Sequence, residues 1–451
     1  MTNTANTAAA TSTAQPVSTC VFRIAHLHEY DRHHRIRNSV SCQRTNVSGV
    51  TRVRISGVTT TLLTGPSTGD PWLLPFKRLR SAAFVEIRLD SGVVGIGETY
   101  AGYFFPEAVP LIVDYLAPVL TGAAPFDDPA DLDPVVLGAR MRLCCAYWGR
   151  TGLGSAVIAG IEAALWDLKG KLLGVPVHEL LGGAKHRTLP TYATGGPAPW
   201  PPDALLRKVD HYLSLGFPAM KVSSGYVDLT TREEVPGDPV AVEVDKLATL
   251  RAHVGPDVGL LLDGHMGHRE GPTRWTVEVA TSVLTAIAPY DVLLFEEPLP
   301  YGDPAGYAEL CASSPVPVAG GEQLSTVDEF RQFAFSVAQP DAAWLGVEQF
   351  GTVATMFDAV APHAWGAGGA VMQNVHAAFA AQNTLVVELP PDAGPLHTEV
   401  WGDSLRFHNG HLSPPDTPGL GIELSSSVRE RFPFIPGAEE FSSVPGKLMR
   451  S

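Results

Sequence analysis

VGLLLDG (258–264), VLLFEEP (292–298) and VPVAGGE (316–322) are three short apolar runs, each finishing in a carboxylate beside a turn residue. Working outward from them, runs of the same kind recur as TLPTYATGG (188–196), AMKVSSG (219–225), VAQPDAA (337–343), DAVAPHA (358–364) and TLVVELP (384–390). Most are separated by room for a helix, although the interval before 358 is tight. Continuous apolar strands alternating with helices mean a parallel sheet covered on both faces, and eight such units suggest a closed barrel.

Upstream the texture differs. TRVRISGVTTTLLT (51–64) alternates like a strand, and AAFVEIRLDSGVVGIGE (82–98) reads as a hairpin turning at Asp90–Ser91–Gly92. Helical stretches follow at about 107–121 and 130–145, and 153–175 is apolar at helical spacing up to Gly174. Strands first and helices afterwards suggest a small α+β domain. Residues 1–18 are uncharged Thr, Ala, Asn and Ser, a low-complexity composition expected to be disordered, and 21–50 contain a basic His-bearing stretch that reads as a solvated tail.

With 45% hydrophobic and 18% charged residues the chain can bury a full core. A formal net charge of -15 argues against nucleic acid and anionic membranes as partners, since both need a basic face. Five cysteines at irregular spacing, with no CxxC pair, suit a reducing cytoplasm better than a disulfide framework. No signal peptide and no membrane span are expected.

Six of the eight runs end in an ionisable residue: Asp263, Glu296, Glu322, Asp341, His363 and Glu388. In a barrel, C-terminal strand ends share one face. Asp263, Glu296 and Glu322 would then converge and repel one another, a penalty that a hard divalent cation removes. Oxygen ligation with few protein ligands favours Mg²⁺.

GIGET (95–99), IEAALWDLKGKLLGVPVHELLGG (161–183), FEEPLP (295–300), GGEQL (320–324), QPDAA (339–343) and PGLGIEL (418–424) together make the chain resemble the enolase superfamily. The resemblance is to the mandelate racemase and muconate lactonizing enzyme branch and covers roughly 51–430. It implies an α/β fold in which an α+β capping domain (51–185) lies on a modified (β/α)₇β barrel (186–400), with 401–451 returning to the cap. It further implies one Mg²⁺ held by Asp263, Glu296 and Glu322, a small-molecule carboxylate substrate, and a homo-oligomer. The family chemistry is proton abstraction next to a carboxylate, with the metal stabilising an enediolate, and the superfamily itself is a standard example of a Lys or His base working with Mg²⁺.

By the same resemblance, His363 is the base and Asp341 the carboxylate that orients it. Glu388 matches an acid that hydrogen-bonds the substrate carboxylate, or is a structural strand end. Relatives often carry Lys-x-Lys on the second strand; here the text is Lys221-Val222-Ser223, so the second base is replaced by Ser223, leaving Lys221 as the one lysine able to reach that face. Asp263-Gly264-His265 replaces the usual Asp-x-Asn, and His265 is either an acid for a leaving hydroxyl or polar lining. One base and one or two acids suit β-elimination of water from a sugar acid. A racemase or epimerase using Lys221, a cycloisomerase, and a non-catalytic acid-binding relative are the alternatives; Asp341 in place of a strand 6 lysine counts against the cycloisomerase. Specificity is expected from loops 64–80, with Trp72, Phe76 and Lys77, and 100–107, with Tyr100, Tyr103, Phe104 and Phe105. These aromatics either exclude water on closure or simply pack.

Overall fold

The computed structural model describes residues 52–67, 79–195, 201–226 and 235–437. Residues 1–50, Trp72, Phe76 and Lys77 lie outside the described residues, so expectations placed on them are not addressed below.

Three antiparallel strands, β1 (Ile55–Pro66), β2 (Leu79–Leu89) and β3 (Val94–Thr99), form the first sheet in the order β1-β2-β3. The β2–β3 turn is where the sequence puts it, with Gly92 at φ +90°. Helices Val109–Thr121, Pro134–Cys144 and Leu153–Leu173 follow, the last closed by Gly174 in the left-handed conformation. Helix Leu153–Leu173 lies directly on β3. A Cβ at Gly97 would come within 2.3 Å of the Gly160 carbonyl oxygen, so only glycine permits that approach.

One buried carboxylate joins this layer to the end of the chain. Asp167, fully buried on that helix, accepts hydrogen bonds from the Ile96 and Leu420 amides, both at 2.7 Å, and pairs with Lys171 at 2.6 Å. GIGET, ALWDLKGK and PGLGIEL are thus three sides of one junction, in which Asp167 satisfies two otherwise orphaned backbone donors.

The parallel sheet comprises β4 (Leu189–Thr194), β5 (Ala219–Ser223), β6 (Gly259–Asp263), β7 (Val292–Glu296), β8 (Val318–Gly320), β9 (Val337–Ala338) and β10 (Val387–Leu389). It pairs in chain order from β4 to β9, and β10 pairs back on β4. A layer of interior side chains comes from every strand position: Tyr192, Ala219, Leu261, Leu294, Ala319, Val337, Ala361 and Val386. That is the packing of a filled barrel core.

The expected strand 358–364 is a correction. Only Val360 pairs there, by single bridges to Ala338 and Thr384, so the regular ladder stays open between β9 and β10. Pro362 has no N–H to continue it. The chain then reaches the helix Gly368–Ala380. Near the end, the hairpin of β11 (Arg406–His408) and β12 (His411–Ser413) adds to β4 through Leu412 and Leu189. Arg429 then forks onto Glu86 of the small sheet, with both nitrogen–oxygen distances 2.8 Å.

Two histidines are buried in neutral form. Burial pushes His376 and His397 down to about 3, helped by His178 and Arg80 respectively. The unfolded chain binds their protons at a higher pH than the folded one, so their contribution is present above the unfolded value near 6.5 and is lost as pH falls towards 3. Acidification from pH 7 to 5 is expected to cost about 2 kcal/mol per histidine. Denaturant unfolding at both pH values should show this loss reduced by about that amount in His376→Gln.

Candidate active site

The C-terminal ends of the parallel strands open on a cavity of about 610 Å³ whose lining includes Lys221, Asp263, His265, Glu322, His363 and Glu388. Convergence of ionisable groups so far apart in sequence follows from the barrel, where every parallel strand ends on one side.

At the β6 end, Gly264 allows the turn. A Cβ there would lie 2.4 Å from the Glu297 carbonyl oxygen. The chain next takes the left-handed conformation at His265 (φ +43°), and Glu297 after β7 does the same (φ +44°). Non-glycine residues in this region carry strain, and two of them adjoining one cavity mark a site where geometry overrides local preference. The result is His265 Nδ1 2.5 Å from Asp263 Oδ1, and His265 Nε2 3.7 Å from Glu322 Oε1.

Lys221, on β5, is 5% exposed. Its ammonium contacts Glu296 Oε2, lies 3.2 Å from Asp263 Oδ2 and 3.5 Å from Glu388 Oε2. Burial alone would lower its pKa, but Glu296, Glu388 and Asp263 outweigh that and hold it well above the ordinary lysine value. Asp263 is held below the usual carboxylate range because His265 and Lys221 overcome the opposing effect of burial. Lys221 is therefore a fixed cation. Ser223, the neighbour on the same face, is buried, its hydroxyl has no hydrogen-bond partner among the described residues, and it is not part of the cavity lining.

His363 follows the Val360 bridge. Its Nδ1 lies 2.9 Å from Asp341 Oδ2, leaving Nε2 on the cavity side, 3.6 Å from Glu322 Oε2. Asp341 is fully buried and held in turn by Asn374 Nδ2 and the Ala343 amide, each donating at 2.8 Å. A buried carboxylate on Nδ1 fixes the tautomer and makes Nε2 more basic. Burial disfavours the imidazolium, yet Glu322, Glu388 and Asp341 push His363 up to about 10. Burial pushes Glu322 up to about 8 against the pull of His363 and His265.

Aromatic rings form the rim. Tyr103 stacks on Tyr100 at 5.2 Å, and the Tyr100 ring centroid is 5.3 Å from that of His363. Trp344 and Trp365 also line the cavity, while Phe105 is 56% exposed and does not.

Sequence reasoning missed Asn374, Tyr192 and Glu297. Tyr192 donates to Glu388 Oε2 at 2.7 Å. Glu297 is buried, and burial together with Glu296 and Asp263 raises its pKa well above the ordinary value. Asn374 had a legible signal: Gln373, Asn374 and His376 are polar residues inside the otherwise apolar helix GGAVMQNVHAAFA.

Among the described residues no group of three or more His, Cys, Asp or Glu is drawn close enough to hold a metal ion. Lys221 and His265 stand between the carboxylates instead. The donor chemistry nonetheless suits a hard cation: the oxygens belong to carboxylates, and Glu296 Oε1 is buried with no hydrogen-bond partner among the described residues.

Comparison with known proteins agrees with this architecture. Residues 58–182 match the family model for the mandelate racemase/muconate lactonizing enzyme N-terminal domain, and 204–428 match the enolase C-terminal domain-like model. The arabinonate dehydratase of Saccharolobus solfataricus is 30% identical over 77% of this chain and 89% of its own. The 3,6-anhydro-alpha-L-galactonate cycloisomerase of Streptomyces coelicolor is 30% identical over 75% and 88%. A racemase from Streptomyces coelicolor, solved with bound magnesium, superposes with a TM-score of 0.67 at 27% identity, covering 84% of this chain and 99% of that one. The chain belongs to the enolase superfamily, in its mandelate racemase/muconate lactonizing enzyme-like branch. It is an enzyme of that branch, and among the described residues no helix is long and apolar enough to cross a membrane.

Removing the ammonium would leave buried carboxylates uncompensated. Lys221→Met is expected to destabilise the protein by about 3–5 kcal/mol in a chelator-containing buffer, measured by denaturant unfolding.

Proposed function

We propose that this enzyme dehydrates a hydroxylated carboxylate of the sugar-acid class. The observation that carries the reading is the His363–Asp341 pair, whose free nitrogen opens on the cavity that also contains His265, with Ser223 where a second-strand base would be needed for exchange on both faces. Relatives named as dehydratases of sugar acids support the class.

In its neutral form, His363 Nε2 takes the proton from the carbon next to the substrate carboxylate. The electron pair left behind spreads onto the substrate carboxylate as an enediolate, then forms the C2–C3 double bond as the carboxylate is restored and the C3–O bond breaks. His265, charged beside Asp263, gives its proton to the departing hydroxyl, which leaves as water. The resulting enol tautomerises to a 2-keto-3-deoxy acid. Lys221, and Glu388 when it carries a proton, with Tyr192 behind Glu388, form the polar floor that receives the substrate carboxylate. Tyr103 and its aromatic neighbours contact the remainder of the substrate and exclude water.

Asp263, Glu296 and Glu322 would hold one Mg²⁺, which when bound offsets the negative charge gathering on the substrate carboxylate. Occupation needs Lys221 and His265 to release their carboxylates. Glu296→Gln is expected to weaken Mg²⁺ binding at least tenfold in a calorimetric titration of the substrate-free protein.

A screen of acid-sugar diastereomers for 2-keto-3-deoxy product tests the activity. In D₂O, substrate recovered before completion should show no inversion at C2, and His363→Asn should lower turnover by roughly 10²–10⁴-fold. Inverted, deuterium-labelled substrate would make the enzyme an epimerase. A ring-opened or ring-closed product without loss of water would make it a cycloisomerase. Full turnover by His363→Asn would remove the base assignment.

A further inference from the structure

We propose that Glu98 and Arg80, both on the small antiparallel sheet, are positioning residues that set the location of the His363 imidazole. The inference rests on the reading of His363 as the proton-abstracting group. Neither residue lines the cavity. Both grip the segment immediately after His363.

Glu98 ends GIGE on β3 and is 1% exposed. Its Oε1 accepts from the Ala367 amide and its Oε2 from the Ala370 amide, both at 2.8 Å. These are donors at the start of the helix Gly368–Ala380, which otherwise has no side-chain cap. The Glu98 amide donates back to Gln373 Oε1 at 2.7 Å, so strand and helix hold each other at both ends of one turn. The same helix carries Asn374, which fixes Asp341 and through it the Nδ1 side of His363.

Arg80 works on the other flank. Its fully buried guanidinium lies 4.5 Å from the Trp365 ring centroid and 5.4 Å from that of Tyr103, and it donates to the Gly366 carbonyl. The Trp365 indole donates to the Tyr103 hydroxyl at 3.2 Å. Tyr103 stacks on Tyr100, which packs against His363. His363 is thus located from behind by the Asp341–Asn374–helix chain and from the rim by the Arg80–Trp365–Tyr103–Tyr100 chain, and both start on the small sheet. His363 lies beyond the two isolated bridges of Val360, and among the described residues no strand ladder fixes the backbone there. A buried carboxylate spending both oxygens on residues 367–370, and a buried guanidinium held on residues 365–366 and on His397, supply the constraint that the missing ladder does not.

The test uses the full chain with Glu98→Gln and Glu98→Ala. A misplaced general base loses rate without losing substrate affinity. Glu98→Gln keeps one acceptor oxygen, so kcat should fall roughly tenfold, and Glu98→Ala roughly 100-fold, with KM within about threefold in both. Independently of any substrate, hydrogen–deuterium exchange of peptides covering 363–372 should quicken at least tenfold in Glu98→Gln, while strands β6 and β7 keep parental protection. If the Glu98 variants do not unfold cooperatively, Arg80→Lys retains the charge but not the planar stacking on Trp365, and should give the same split. A folded variant with unchanged exchange at 363–372 overturns the proposal. So do kcat within twofold of the parent, or kcat falling only in proportion to the folded fraction. His363→Asn measured alongside separates the two ideas: turnover retained there removes the base reading, while the exchange data still judge the grip on the loop.

Discussion

A single buried ammonium makes the rest of this site possible. Asp263, Glu296 and Glu388 come from three different strands and meet in a nearly dry space, where like charges at such range are costly. Lys221 Nζ stands among all three, and its raised pKa expresses the same attraction from the cation's side. The histidines play the corresponding part towards Glu322. What the barrel brings together by topology, the cations keep together by charge.

The fold was legible because the barrel leaves a periodic trace, with eight apolar runs and six of them ending in an ionisable group. The same rule placed Asp263, Glu322, His363 and Glu388 on one cavity, while the position of Asp341 behind the imidazole was what the family resemblance implied. What stayed hidden depends on partners that no spacing encodes. Lys221 reads in sequence as a lysine free to act, but its neighbours come from strands β6, β7 and β10. Ser223 is two residues from Lys221 and yet falls off the cavity wall. The run DAVAPHA has the texture of a strand, and its Pro362 is the reason it pairs at only one residue. Arg80 is the last residue of the stretch 64–80 read as a substrate loop, and nothing local tells that its charge serves Trp365 and Gly366, 285 or more residues away.

Polar residues in apolar elements proved the most informative signal not taken up. Asp167 in a helix buried along most of its length, and Gln373, Asn374 and His376 in another, are each engaged in contacts between separate layers. An unpaired polar group in such a place is expensive, so each one points to a partner elsewhere in the chain. The motifs that carry the family resemblance include Asp167 and the partners of the other three, Glu98, Asp341 and His178, and their spatial meeting gives that resemblance a physical basis.

The junction at Asp167 and the hairpin on β4 also bear on how the molecule is made. Leu420 supplies one of the two backbone donors to Asp167, Leu412 pairs with the first barrel strand, and Arg429 pairs with Glu86 on the sheet that comes first along the chain. During synthesis these early elements emerge from the ribosome long before their partners do. Until Leu420 arrives, Asp167 has Lys171 and the Ile96 amide but lacks its third partner, and the first parallel strand keeps an open edge, a feature that invites chaperone binding or premature association.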